Sequence, residues 1–462
     1  MPSCLTYPML LSWAGIICLL LAFLFAAGCI ATPQTPTLSI TPAVVLSGDP
    51  VSITVTGHTP GEQVRIEALQ EVRNATLRSY AVFVADEQGR VLPDEHAPVD
   101  GTYAGVDPQG LFWSMAPGPG EHPDVFSRTI APSFITISAS TDSGANLSKV
   151  LERRLMGDGV TRVPVDEAGV HGTLFLPAGS DPCPALIYLG GSEGGINEGI
   201  AAIFASKGYV TLAPAYFGLP GLPPELVGVP VETVGDAVRF LNQHPQVQED
   251  RIAIYGASKG AELALLSATR YPEVCAVVAN SPGSVVFQGI SLDWSAGPRS
   301  SWSENGSDLP YVPFVWYGED DPILVSMGEA AMNGTPWGTL AMYERALNDE
   351  AAVRNATIPV ERINGPILLL SAGKDTVWPS SQMSEDIMAR LAKYRHPFPD
   401  QRLDYPASGH MIRTPWQSTE LNRIYLPGGM IEDLGGIPPE NARAAADSWP
   451  KIQEFLKEAL GS

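Results

Sequence analysis

Residues 251–268 read as a strand, a glycine-bounded turn and a helix in immediate succession. Arg251-Ile252-Ala253-Ile254-Tyr255 is apolar and β-prone, Gly256-Ala257-Ser258-Lys259-Gly260 follows at once, and Ala261-Glu262-Leu263-Ala264-Leu265-Leu266 opens a helical run. A turn that tight needs small flanking residues, and it raises the central hydroxyl, that of Ser258, above the end of a buried strand. Gly-x-Ser-x-Gly occurs a second time, as Gly190-Gly191-Ser192-Glu193-Gly194, so the bare pattern decides little. Context separates the two, because only the second copy along the chain sits directly between a strand and a helix.

The surrounding rhythm extends this reading. From about residue 159 strands (185–189, 209–213, 251–255, 276–279) alternate with helices (199–207, 231–242, 261–271). That order predicts a mostly parallel sheet covered on both faces over 159–462. Residues 283–365 interrupt it, with Trp294, Trp302, Trp316 and Trp337 concentrated there. An insertion over a sheet's active edge is expected to act as a lid or substrate wall, here as the acyl pocket. Residues 43–150 carry short alternating runs broken by Gly, Pro and Asn, which reads as an Ig-like β-sandwich. Its aromatic stretch 110–115 is expected to pack in a sheet corner or against the second domain.

Residues 10–27 are almost unbroken apolar sequence closing on Ala26-Ala27-Gly28-Cys29. This reads as a secretory signal with a lipobox, lipidated at Cys29, or alternatively as an uncleaved membrane anchor. Residues 30–42 form a Thr/Pro-rich tether. An exported, membrane-anchored protein follows, touching the membrane only through this N-terminal part; an uncleaved anchor leaves a cytoplasm-facing body as the alternative. Three of five cysteines fall in that leader, leaving Cys183 and Cys275 as a pair or as two isolated thiols. Lys+Arg 28 against Asp+Glu 50, a net charge of −22, argues against nucleic acid as a partner.

A serine needs a base, and the base a carboxylate to orient it. In this architecture the chain order is Ser, then Asp or Glu, then His. The strand 366–371 runs into Gly373-Lys374-Asp375, and the strand 402–405 leads to Ala407-Ser408-Gly409-His410. Ser258, Asp375 and His410 are therefore the predicted catalytic residues. His396 precedes the last strand and is badly placed; Asp320, in the insertion, is a weaker rival acid. The N–H groups of Ser192 and Lys259 are the predicted oxyanion donors, with the reverse assignment making Ser192 the nucleophile. Trp113, Gly191 and Glu193 are expected to line the substrate site. No metal-ligand spacing, phosphate loop or dinucleotide fingerprint occurs, so no cofactor is expected.

Long stretches of the chain resemble a known family. Gly101-Thr102-Tyr103, Gly105-Val106-Asp107-Pro108 and Gly110-Leu111-Phe112-Trp113-Ser114-Met115 carry the likeness in the first body. In the second it rests on Leu189 to Gly195, Ala213-Pro214-Ala215-Tyr216-Phe217-Gly218-Leu219-Pro220-Gly221, Tyr255 to Leu265 and Ser408-Gly409-His410. These are similar to the acyl-CoA thioesterases and bile acid-CoA:amino acid N-acyltransferases. The resemblance implies a β-sandwich on an α/β-hydrolase domain, with a triad at the positions already reached. It also implies that a serine at position 258, rather than cysteine, favours release of the acyl group to water. The expected activity is hydrolysis of a small-molecule acyl thioester through an acyl-serine. The alternatives are an exported carboxylesterase that never meets CoA, acyl transfer to an amine, and a non-catalytic surface binding protein.

Overall fold

The computed structural model describes residues 1, 3, 35–123, 129–291, 297–426 and 429–461. Residues 10–27, Cys29 and Trp294 lie outside them. No helix among the described residues is long and apolar enough to cross a membrane.

Alternation of apolar and polar residues builds the first body. Along Ala75–Val84 every second side chain, including Leu77, Ala81 and Phe83, points inward. The antiparallel partner Gln63–Val72 faces it in register, Val64 opposite Phe83 and Ile66 opposite Ala81. Ser133–Ser140, Asn146–Arg154 and Val44–Leu46 continue this sheet, whose inner face closes over a core shared with the two-stranded Thr37–Thr41/Ser52–Thr56 ribbon. Two expectations need correction. Thr37–Thr41 is not tether: it pairs antiparallel with Ser52–Thr56 and buries Leu38 and Ile40. The sheet also runs past residue 150, to Arg154.

The second body is built on a sheet of eight strands: β1 (Thr161–Glu167), β2 (Val170–Leu176), β3 (Cys183–Leu189), β4 (Val210–Ala215), β5 (Val247–Ala257), β6 (Val274–Asn280), β7 (Ile367–Ala372) and β8 (Gln401–Tyr405). Their order is β1-β2-β4-β3-β5-β6-β7-β8, antiparallel at β1/β2 and β2/β4 and parallel elsewhere. Every side chain of β4 and β7 is buried, as expected for strands covered on both faces. The covering helices are α1 (Glu198–Ser206), α2 (Glu232–Asn242), α3 (Lys259–Ala268), α4 (Ser380–Tyr394) and α5 (Pro438–Leu460). Cys183 opens β3 and Cys275 lies near the start of β6, with β5 between them. Two strand spacings of about 4.8 Å exceed the reach of a disulfide, and both thiols are free.

The two bodies share packing, and that packing bears on the site. Helix 110–113 of the sandwich meets the segment that follows His410. Thr419 N–H donates to the Trp113 carbonyl at 3.0 Å, and the Ser418 hydroxyl to the Met115 carbonyl at 2.6 Å. Trp416 enters the sandwich core edge-on to Phe112, their ring centroids 5.6 Å apart. The histidine-bearing loop is thus anchored on the first domain.

Candidate active site

Ser258 stands at the junction of β5 and α3 with φ +55° and ψ −123°, a region that a side chain adopts only under constraint. The constraint is visible in the glycines on either side. A Cβ on Gly256 would lie 2.1 Å from the carbonyl oxygen of Gly260, and one on Gly260 2.1 Å from that of Gly190. The Ser258 N–H is held by the Asn280 carbonyl at 2.8 Å, which ties the turn to the neighbouring strand β6. Its hydroxyl is 2.9 Å from Nε2 of His410.

His410 follows β8. The amide of the preceding Gly409 donates to Oδ1 of Asn441 at 2.8 Å, and that of His410 donates to the Leu434 carbonyl at 2.7 Å. Only glycine fits before the histidine, because a Cβ there would meet the Gly435 carbonyl oxygen at 2.2 Å. The Ser281 hydroxyl donates to the His410 carbonyl at 2.7 Å. Nδ1 of His410 is 2.8 Å from Oδ2 of Asp375. Asp375 lies beyond β7 with four hydrogen-bond partners: the Val377 and Trp378 amides on Oδ1, the Ser380 hydroxyl and His410 on Oδ2. Burial pulls the imidazole pKa down, but the charge and hydrogen bond of Asp375, with Glu432 and Glu193 nearby, outweigh it and leave the value raised. The structure brings Ser258, His410 and Asp375 into one hydrogen-bonded chain.

The rivals lie elsewhere. His396 binds Asp400 at 2.7 Å and the Ile363 carbonyl at 2.8 Å. Asp320 is exposed; its neighbour Asp321 is the buried one, capping helix 322–333 and binding Arg345 at 2.5 Å.

The loop after β3 passes beside Ser258. Gly191, Ser192 and Glu193 line a cavity of about 1040 Å³ together with Ser258 and His410. The Gly191 N–H donates to Oε1 of Glu193 at 3.1 Å. The hydroxyl of Tyr216 donates to the carbonyls of Gly190 and Gly191, at 2.5 and 2.9 Å. Those bonds fix the two carbonyls of the loop, and the tyrosine was not singled out from the sequence.

Two expected lining features are not found. Trp113 is buried in the sandwich core, its Nε1 donating to Asp107 at 2.8 Å, and it does not border the cavity. Nor do described residues of the Trp-rich insertion 283–365. The cavity opens instead between the sandwich strands, with Leu69, Thr136 and Arg153, and the segment 411–434. The insertion packs behind the serine turn. Trp302 is fully buried and donates to Oε1 of Glu262 at 2.6 Å, while Lys259 Nζ binds Oε2 of Glu262 at 2.6 Å. Lys259 therefore points into the core, and a Ser–Lys pair is not formed. Burial drives the Lys259 pKa down and that of Glu262 up, and mutual attraction opposes both shifts. The i, i+3 spacing of these two charges on one helix was the available signal for the pair.

A hydrogen-bonded serine, histidine and aspartate at the carboxyl edge of a β1-β2-β4-β3-β5-β6-β7-β8 sheet define an α/β-hydrolase. Residues 48–167 match the N-terminal region of the acyl-CoA thioester hydrolase/BAAT family, and residues 229–462 its BAAT/acyl-CoA thioester hydrolase C-terminal region. Mouse mitochondrial acyl-coenzyme A thioesterase 2 is 31% identical over 90% of this chain and 87% of its own. Mouse acyl-coenzyme A thioesterase 1 is 30% identical over 90% and 94%, and mouse peroxisomal succinyl-coenzyme A thioesterase 29% over 92% and 97%. The chain belongs to the acyl-CoA thioester hydrolase/BAAT family.

Proposed function

We propose that this protein hydrolyses acyl thioesters through an acyl-serine intermediate. The observation that carries the reading is the continuous Ser258–His410–Asp375 hydrogen-bonded chain opening on the cavity. Ser258 Oγ attacks the thioester carbonyl carbon while Nε2 of His410 takes its proton. The negative charge on the carbonyl oxygen is met by the N–H groups of Lys259, at the first turn of α3, and of Ser192. Collapse of the tetrahedral intermediate expels the thiolate, which leaves as a thiol with the proton from His410. A water then gives its proton to Nε2 and attacks the acyl-serine, releasing the carboxylic acid and restoring the serine. Asp375 fixes the imidazole tautomer throughout.

Following free-thiol release from acyl-CoA esters, with p-nitrophenyl esters in parallel, tests the proposal. Ester cleavage with no thiol release from any acyl-CoA would replace it with the carboxylesterase reading, which the export-like leader favours. The base must be neutral to act, and its pKa lies above the ordinary imidazole value of about 6.5. We expect log(kcat/KM) to fall with unit slope on the acid side, with a midpoint above 6.5; a plateau down to pH 5 would remove His410 as the base.

For the leader, we propose lipidation at Cys29. Radiolabelled palmitate should enter the full chain in a bacterial host and be absent from Cys29→Ser; equal labelling of the two would refute it.

A further inference from the structure

Among the described residues most buried or half-buried arginines are matched by carboxylates: Arg270 by Glu304, Arg345 by Asp321, Arg390 by Glu361. Two that border the catalytic cavity are not. Arg153, on the last long strand of the sandwich, is 6% exposed, and its Nη2 has no hydrogen-bond partner. Its guanidinium is seated on the ring of Phe112, Cζ 5.3 Å from the centroid. Arg413, three residues after His410, donates one bond from Nη2 to the Leu421 carbonyl at 2.9 Å. Among the described residues neither arginine forms an ion pair. Burial alone lowers both pKa values, to about 10, with no carboxylate raising them, so both stay charged at neutral pH.

A buried guanidinium without an anion is costly, and a fold with 50 acidic residues has no shortage of carboxylates to supply. The acids that border the cavity are placed otherwise. Glu193 and Glu432 act on His410, and Glu71 is exposed with its carboxylate on the Thr76 hydroxyl. The planar five-donor fork of arginine matches a carboxylate or phosphate. Packing on Phe112 holds one such fork at the wall of the space a substrate must enter.

We propose that Arg153 and Arg413 form an anion subsite of the cavity, which takes a phosphate or carboxylate carried by the substrate. This rests on the thioester-hydrolase reading and narrows it to anionic acyl thioesters. The anion is either a phosphate of the thiol carrier or a carboxylate at the far end of the acyl chain.

Calorimetric titration of the full chain with pyrophosphate and with glutarate, at fixed ionic strength, reads the subsite without turnover. Arg153→Met and Arg413→Gln should each weaken binding of at least one probe tenfold or more, with Arg153→Lys in between. The kinetic arm compares an acyl-CoA, the same acyl group on pantetheine, and an ω-carboxyacyl pantetheine. A tenfold rise in KM confined to the CoA ester identifies the phosphate; one confined to the ω-carboxyacyl ester identifies the carboxylate. Unchanged binding of both probes in both variants overturns the subsite, as does a KM rise shared equally by charged and neutral substrates. Absence of turnover by the unmodified protein would count against the hydrolase reading alone, since the titrations still decide the subsite.

Discussion

Ser258→Ala is expected to lower kcat/KM for acyl thioesters by about 10⁴-fold or more, leaving a folded protein. The hydroxyl makes no cap bond to helix α3 and only the contact to His410 is lost. The turn is held by the Asn280 carbonyl and the two flanking glycines, none of which the substitution touches. Alanine removes the only atom in this chain of contacts able to form the acyl bond, so the residual rate reflects binding and oxyanion contacts alone. A fluorophosphonate probe gives an independent readout: one covalent label on Ser258, lost in the variant. Thiol release within tenfold of the unmodified protein, or a label that survives on Ser192, would sink the assignment.

Asp375→Asn should cost about 10³- to 10⁴-fold in kcat/KM with little change in fold. The carbonyl oxygen of asparagine can keep the bonds from the Val377 and Trp378 amides. That choice turns the amide NH₂ toward His410. Nδ1 must then accept, the ring proton moves to Nε2, and the nitrogen facing Ser258 becomes a donor that cannot take its proton. The acid limb of the pH profile should also move downward, since burial remains while the charge that raised the imidazole pKa is gone. A loss of less than tenfold, or an unmoved limb, would show that another group orients the histidine.

The serine turn was legible because its constraint is local. Steric exclusion at Gly256 and Gly260, a strand before and a helix after all fall within eighteen residues, 251–268. Chain order then singled out Asp375 and His410, the first after the apolar run of β7 and the second after the short strand Gln401–Tyr405. The errors arose where distant segments meet. Trp113, expected at the substrate site, is instead bonded to Asp107 and to the Thr419 amide, the latter over 300 residues away. The tryptophans of the insertion suggested an acyl pocket, whereas the buried charge of Glu262 draws the Trp302 indole N–H inward. The tether's final residues, Thr37–Thr41, alternate like a strand and became one once Ser52–Thr56 offered its edge.

The amino-acid order thus determined the two-body architecture, the strand–turn–helix that presents Ser258, and the order of its partners, all consequences of short-range sterics and periodicity. Only the tertiary structure decided that Nδ1 and Nε2 of one imidazole reach both partners at once, and that the cavity lies against the sandwich rather than under the insertion. It also decided which arginines go without a carboxylate. Such outcomes depend on which surfaces are buried against each other, and burial sets the energetic weight of every charge and hydrogen bond within them.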